Sequence, residues 1–253
     1  MFVHNFNPVF FSIGPVEVRY YGLVYFLGFL FIYLYLRSYA KKGTIKNLNS
    51  DNVDSLLIYL IIGIIVGARL FEFLFYSSGV LFSDPLEFFR VWNGGMSYHG
   101  GLAGALISGF IFTRKKKISF NKTGDIIIIP SLFFVAIGRI ANFINGELPG
   151  KVSGVSWCVV FPDYNGCRHP YVLYESLKNF FVFGIALFMK NLKLKDGLLL
   201  WWSVLFYNAL RFFVEFFKEG STFLGLTTGH YLCLAFSAVA IYFILKINKE
   251  NKK

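Results

Sequence analysis

The chain has 253 residues, of which 56% are hydrophobic, 20% aromatic and only 15% charged, with a formal net charge of +11. Soluble domains average about 25% charged residues, so a water-soluble globular fold is excluded and a bilayer is the expected solvent. The basic balance would suit nucleic acid, but the positions of the basic residues point to a membrane surface instead.

In chain order, the N-terminal stretch MFVHNFNPVFFSIGPVEV has no basic leader and no small-residue cleavage site, so no removable signal peptide is expected. A membrane-crossing helix needs about 20 mostly apolar residues. Seven such runs follow, at about 20–37, 55–77, 96–113, 124–145, 171–189, 197–217 and 230–247. The expected fold class is therefore all-α, a polytopic membrane protein of about seven transmembrane helices. It is expected to form a single integral membrane domain over 1–253, with a small extracytoplasmic segment at about 146–170. No internal repeat and no low-complexity linker interrupts it.

Of the 25 basic residues, sixteen fall after spans one, three, five and seven: Arg37, Lys41, Lys42 and Lys46; Arg114–Lys117 and Lys122; Lys190, Lys193 and Lys195; Lys246, Lys249, Lys252 and Lys253. The other connectors hold only Arg19, Arg90, Lys151, Arg168 and Lys218. The positive-inside rule then sets the N-terminus outside and the C-terminus in the cytoplasm. The RKKK run reads as an anchor at anionic head groups rather than a nucleic-acid site.

Four basic residues remain inside spans: Arg69, Arg139, Lys178 and Arg211. At 1.5 Å per residue, Arg139 and Arg211 each lie roughly 9 Å below the outer end of their span. His99 and Tyr21 are near the outer ends of theirs, so four spans bring polar groups to a common depth. A charge near mid-bilayer costs about 3 kcal/mol on insertion scales, so both arginines need an anion or a wet cavity. In YNALRFFVE, Tyr207, Arg211 and Glu215 recur every fourth residue and share one helix stripe; Arg139 and Asn142 share a face as well. Arg69 and Glu72 are spaced as an internal pair. Arg139 has no acid within four residues on either side, so its expected partner is an anion from outside the chain, such as a lipid phosphate matched to the guanidinium fork.

His99 lies in NGGMSYHGGLAG. The Gly100 and Gly104 pair has the spacing of close helix packing, and the glycines flanking the histidine equally suit close approach of a substrate. If the chemistry needs a proton removed near neutral pH, His99 is the candidate base. Cys158 and Cys167 share the outer connector between spans four and five; their location permits a disulfide without showing whether the geometry does. No His, Cys or carboxylate spacing suggests a metal, and no cofactor is expected.

The segment GRIANFINGELPG, 138–150, resembles the signature of the prolipoprotein diacylglyceryl transferases, with Gly138, Arg139, Ala141, Asn142, Phe143, Asn145, Glu147 and Gly150 at its fixed positions. The similarity continues through FSIGPVEVRYYGLVY, GARL, DPLEFFRVWNGGMSYHGG, RHPYVLYE and YNALRFFVEFFKE. Three departures stand out. The connector from Gly150 to Arg168 is short, Thr228-Gly229-His230 stands where members often carry Gly-Gln, and Glu72 replaces a commonly neutral residue.

The resemblance implies transfer of a diacylglyceryl group from phosphatidylglycerol to the lipobox cysteine of a prolipoprotein signal peptide, forming a thioether and releasing glycerol 1-phosphate. It implies a multi-pass protein of the bacterial cytoplasmic (inner) membrane, with its active site toward the outer leaflet. The catalytic candidates are His99, Arg139 and Arg211. Tyr21, Asn142, Asn145, Glu147, Gly150, Tyr207 and Glu215 are candidates for binding or for holding the arginines. The expected partners are phosphatidylglycerol, lipobox signal peptides and membrane lipids, with no nucleic acid, and the expected state is a monomer. A phospholipid transporter is the alternative; the lack of a second copy of the Arg-Asn or His-Gly segments weighs against it. A passive scaffold leaves the shared depth of the polar groups unexplained.

Overall fold

Each apolar run becomes a helix in the computed structural model, which describes residues 2–14 and 16–249. In chain order these are α1 (Tyr20–Lys41), α2 (Ser50–Phe75), a short α3 (Ser78–Ser83), α4 (Tyr98–Lys116), α5 (Phe120–Ile144), α6 (Tyr171–Lys190), α7 (Leu198–Val214) and α8 (Thr228–Lys249). Among the described residues, six of the seven long helices, all but α4, are long and apolar enough to cross a membrane, α7 together with the turn that extends it to Phe217. The glycines of α4 and its Arg114–Lys116 tail dilute its hydropathy. Of the residues used above, Met1, Pro15, Lys252 and Lys253 lie outside the described residues.

The described residues fall into two compact units, one within Met1–Ile32 and Gly124–Lys253, the other Tyr33–Thr123. In the first unit, β2 (Val9–Ile13) and β3 (Val16–Arg19) form an antiparallel hairpin that leads into α1. A three-stranded sheet has the order β1-β4-β5, with β1 (Phe2–Val3) parallel to β4 (Val159–Val160) and β4 antiparallel to β5 (Cys167–Arg168). These strands, of two to five residues, are too short to stand out from a sequence dominated by helical runs. The possible cysteine pair is formed: Cys158 and Cys167, with Cα atoms 5.5 Å apart, are disulfide-bonded across the β4–β5 loop.

Beneath this sheet, Phe143, Phe161, Tyr171 and Val172 pack into one apolar cluster with Val159. His4 donates from Nε2 to the carbonyl of Phe143 at 2.6 Å and stacks on Phe161, so the N-terminal segment closes onto the end of α5. At the opposite end of α5, Asp125 accepts from the backbone N–H of Gly197 at 2.6 Å and of Leu200 at 2.7 Å. A carboxylate at a helix N-terminus satisfies free donors and meets the positive end of the dipole, so Asp125 fixes the start of α7.

In the second unit, α2 and α4 meet through glycines. A methyl group on Gly104 would strike the carbonyl of Gly63, and one on Gly100 the carbonyl of Gly67. Both helices thus carry a small residue four apart at the contact, which lets the backbones touch. Gly100 serves this packing, which removes it from the glycines open to a substrate.

Arg69 also belongs to this unit, and its partner differs from the expected Glu72. Its guanidinium donates to the carbonyls of Phe88 at 3.0 Å, Gly94 at 2.5 Å, Gly95 at 3.1 Å and Glu87, and ion-pairs with the Glu87 carboxylate at 3.8 Å. Gly94 and Gly95 both have positive φ, a backbone that glycine adopts without steric cost and that turns their carbonyls onto the arginine. Arg69 is therefore an architectural group that ties the segment between α3 and α4 to α2, while Glu72 accepts from the Ser77 hydroxyl at 3.1 Å.

Candidate active site

The first unit gathers most of the candidate residues around the ends of α5, α6, α7 and α8. The stripe read from YNALRFFVE is present: Arg211 Nη1 donates to the Tyr207 hydroxyl at 3.0 Å, and Nε lies 3.8 Å from Glu215. Glu215 is buried and well satisfied. It accepts from the hydroxyls of Tyr171 at 2.9 Å and Thr227 at 3.2 Å, and it ion-pairs with Lys218 at 3.6 Å. The start of α8 fits closely against it, because any side chain on Gly229 would run into the Glu215 carboxylate.

Arg139 does have an acidic partner within the chain, contrary to the sequence expectation. Its Nε lies 3.8 Å from Glu175 Oε2, on α6. The same oxygen receives Lys178 at 3.3 Å and Arg211 at 3.5 Å. Searching four residues along the chain cannot find an acid on a neighbouring helix, which is why Glu175 was missed. The available signal was Glu175 and Lys178 three apart inside one apolar run, a spacing that puts two charges on one buried face.

The signature continues this network. Arg139 Nη1 donates to Asn142 Oδ1 at 3.1 Å, Asn142 Nδ2 donates to Glu147 at 2.7 Å, and Asn145 Nδ2 donates to the other oxygen of Glu147 at 2.8 Å. Glu147 thus reaches Arg139 through Asn142, rather than holding it directly. Tyr21 stacks obliquely on Tyr25, with ring centroids 4.6 Å apart, and lies within electrostatic range of Arg139 and Glu147.

Gly150 sits where three chain segments cross. Its N–H donates to the His169 carbonyl at 2.9 Å, its carbonyl accepts from Arg168 at 3.1 Å, and it bridges Lys218 on the strand side. A Cβ there would approach the carbonyls of Phe217 and His169 to 2.6 and 2.8 Å, so only glycine fits. Nearby Arg168 also ion-pairs with Glu219, and burial pushes the His169 imidazole below its ordinary value.

His99 lies in the second unit, in the first turn of α4, where it is 1% exposed and meets the Tyr98 ring edge-on at 5.7 Å. Ser97 caps that helix by accepting from the Gly100 N–H.

Electrostatically, the first-unit cluster sets three largely buried cations, Arg139, Lys178 and Arg211, against two buried carboxylates, Glu175 and Glu215. Lys218 and the exposed Glu147 stand at its margin. Among the buried atoms of the cluster that have no hydrogen-bond partner among the described residues are Glu175 Oε1 and Arg139 Nε. A buried polar atom without a partner costs about 1–3 kcal/mol. A net positive buried cluster with an unused donor and an unused acceptor suits an anion that also carries hydroxyls. Among the described residues, no group of three or more His, Cys, Asp or Glu is placed to hold a metal.

The sequence pattern of the family described as prolipoprotein diacylglyceryl transferase matches residues 8–246. A phosphatidylglycerol–prolipoprotein diacylglyceryl transferase of Geobacter sulfurreducens is 41% identical over 89% of this chain and 87% of its own. One from Rickettsia bellii is 40% identical over 96% of this chain and 95% of its own. One from Pasteurella multocida is 40% identical over 91% and 86%.

Proposed function

Because the chain belongs to the prolipoprotein diacylglyceryl transferase family, we propose that it moves the diacylglyceryl group of phosphatidylglycerol onto the lipobox cysteine of a prolipoprotein, the first step of lipoprotein maturation. The product is a thioether and the leaving group glycerol 1-phosphate. The observation that carries this reading is the convergence of Arg139, Lys178 and Arg211 on one Glu175 oxygen, which leaves the cluster one positive charge in excess.

The chemistry asks for two kinds of assistance. The attacking sulfur must be a thiolate, and a free cysteine with a pKa of about 8.5 is mostly protonated at neutral pH. His99 is assigned the base that takes this proton. As the carbon–oxygen bond of the lipid breaks, negative charge grows on the departing phosphate ester, and preorganised cations aimed at it lower the barrier. Arg139 and Arg211 are assigned that role, with Tyr207 and Glu215 holding Arg211 and with Asn142, Asn145 and Glu147 orienting Arg139. Tyr21 is assigned to binding the lipid head group, and Gly150 to holding the segments that set the arginines' positions. The nucleophilic sulfur belongs to the substrate, so no cysteine of this chain is needed.

The protein is further proposed to act as a monomer, as one integral domain of the bacterial cytoplasmic membrane, with its N-terminus outside and its site in the outer leaflet. Incubation of the purified protein with phosphatidylglycerol and a lipobox peptide should add one diacylglyceryl group to the peptide mass. Lipid movement between leaflets with no mass increment would instead favour a transporter. Single cysteines at Lys151 and Lys116 should react with an impermeant thiol reagent from opposite sides of the membrane, and labelling from one side only would reverse the topology argument.

A further inference from the structure

Lys178 has no role in the reaction as described. It lies seven residues into α6, about 10 Å along the helix from its start, where a lone ammonium is costly. Its Nζ donates to Glu175 Oε2 at 3.3 Å, the shortest of the three cation contacts to that oxygen, against 3.5 Å for Arg211 and 3.8 Å for Arg139. The same ammonium sits 3.6 Å from the centroid of the Tyr207 ring, whose hydroxyl accepts from Arg211. Lys178 therefore touches two of the groups that hold Arg211, Glu175 and Tyr207, and Glu175 is also the acid that faces Arg139.

We infer that Lys178 is a positioning residue for recognition of the phosphate ester: by neutralising Glu175 it keeps Arg139 and Arg211 available to an anion from outside the chain. With the ammonium present, the buried set is three cations against two carboxylates. Without it, two arginines face two carboxylates, and Glu175 becomes a strong competitor for the guanidinium donors that the phosphate needs. Attraction between charges grows as water is excluded, so this competition is felt most in a buried cluster. The cation–π contact with Tyr207 holds the ammonium over a ring face, which fixes its position as well as its charge. This inference rests on the proposal that the two arginines bind the lipid phosphate.

The test uses the full chain in detergent with phosphatidylglycerol and a lipobox peptide. Lys178→Met keeps the apolar stem and removes the charge. It should raise KM for phosphatidylglycerol about tenfold, a modest share of what breaking a buried charge pair can cost, while kcat changes far less. Glu175→Gln combined with Lys178→Met restores the charge excess and should recover most of the lost affinity, a rescue that a purely structural lysine does not predict. Lys178→Gln, which can still donate to Glu175 but carries no charge, should behave like Lys178→Met; it serves as the second variant if the methionine form does not fold, with the melting temperature as the check. An unchanged KM in either single variant, while Arg139→Ala raises it, overturns the inference. A double variant no better than Lys178→Met overturns it too, by showing that Lys178 supports packing and not charge balance. If Arg139→Ala leaves both KM and kcat unchanged as well, the phosphate reading itself fails.

Discussion

Arg139→Ala is expected to lower kcat/KM for phosphatidylglycerol by about 100-fold or more, since truncating one partner of a buried, hydrogen-bonded charge pair costs about 2–5 kcal/mol. In the free protein Arg139 spans Glu175 at 3.8 Å and Asn142 at 3.1 Å. Its loss leaves Glu175 with Lys178 and Arg211, so the acid is not stranded and the fold should persist. Steady-state kinetics then separate two roles. A rise in KM alone means that Arg139 holds the phosphate equally before and during bond breaking. A fall in kcat together with kcat/KM means that it acts on the charge that appears as the glycerol phosphate departs. Unchanged lipid binding and unchanged rate would remove Arg139 from the site altogether.

His99→Gln should cut transfer by about 100-fold to 10,000-fold, the range of general acid–base assistance, while phosphatidylglycerol binding stays at the wild-type level. Glutamine keeps a polar side chain of similar reach but cannot accept the thiol proton. The decisive comparison is between neutral pH and pH well above about 8.5, where a free cysteine supplies its own thiolate. If His99 serves as base, the deficit of the variant shrinks at the higher pH. A deficit of the same size at both values would assign His99 to the structure of the first turn of α4, where it is buried beside Tyr98.

Helices were legible because their signal is local. Runs of apolar residues announce α1, α2 and α5–α8, and the basic cluster Arg114–Lys117 falls where α4 ends. The Tyr207–Arg211–Glu215 stripe was legible for the same reason, one helix and one face. What stayed hidden depends on two elements meeting. Glu175 is 36 positions from Arg139 and Arg211 alike, and nothing in either segment records that they pack together. Arg69 has a near acid at the right spacing, Glu72, yet spends its donors on carbonyls around Gly94 and Gly95, because a folded turn offers four acceptors at once. The β1–β4 pairing joins residues more than 150 positions apart through two residues on each side, too short a pattern to read.

Gly150 gives the signature a second meaning. This one residue takes a hydrogen bond from the segment leading into α6 at its carbonyl, gives one back from its N–H, and lies against the segment leaving α7. The helices that carry Arg139, Glu175 and Arg211 are thus fastened to one another at a point that admits no side chain. Substituting Gly150 would displace three charged groups together, and the resulting inactive protein would look as though a binding residue had been removed. A motif glycine and a motif arginine can therefore give the same phenotype for different reasons: one bears the charge, and the other sets the distances at which the charges act.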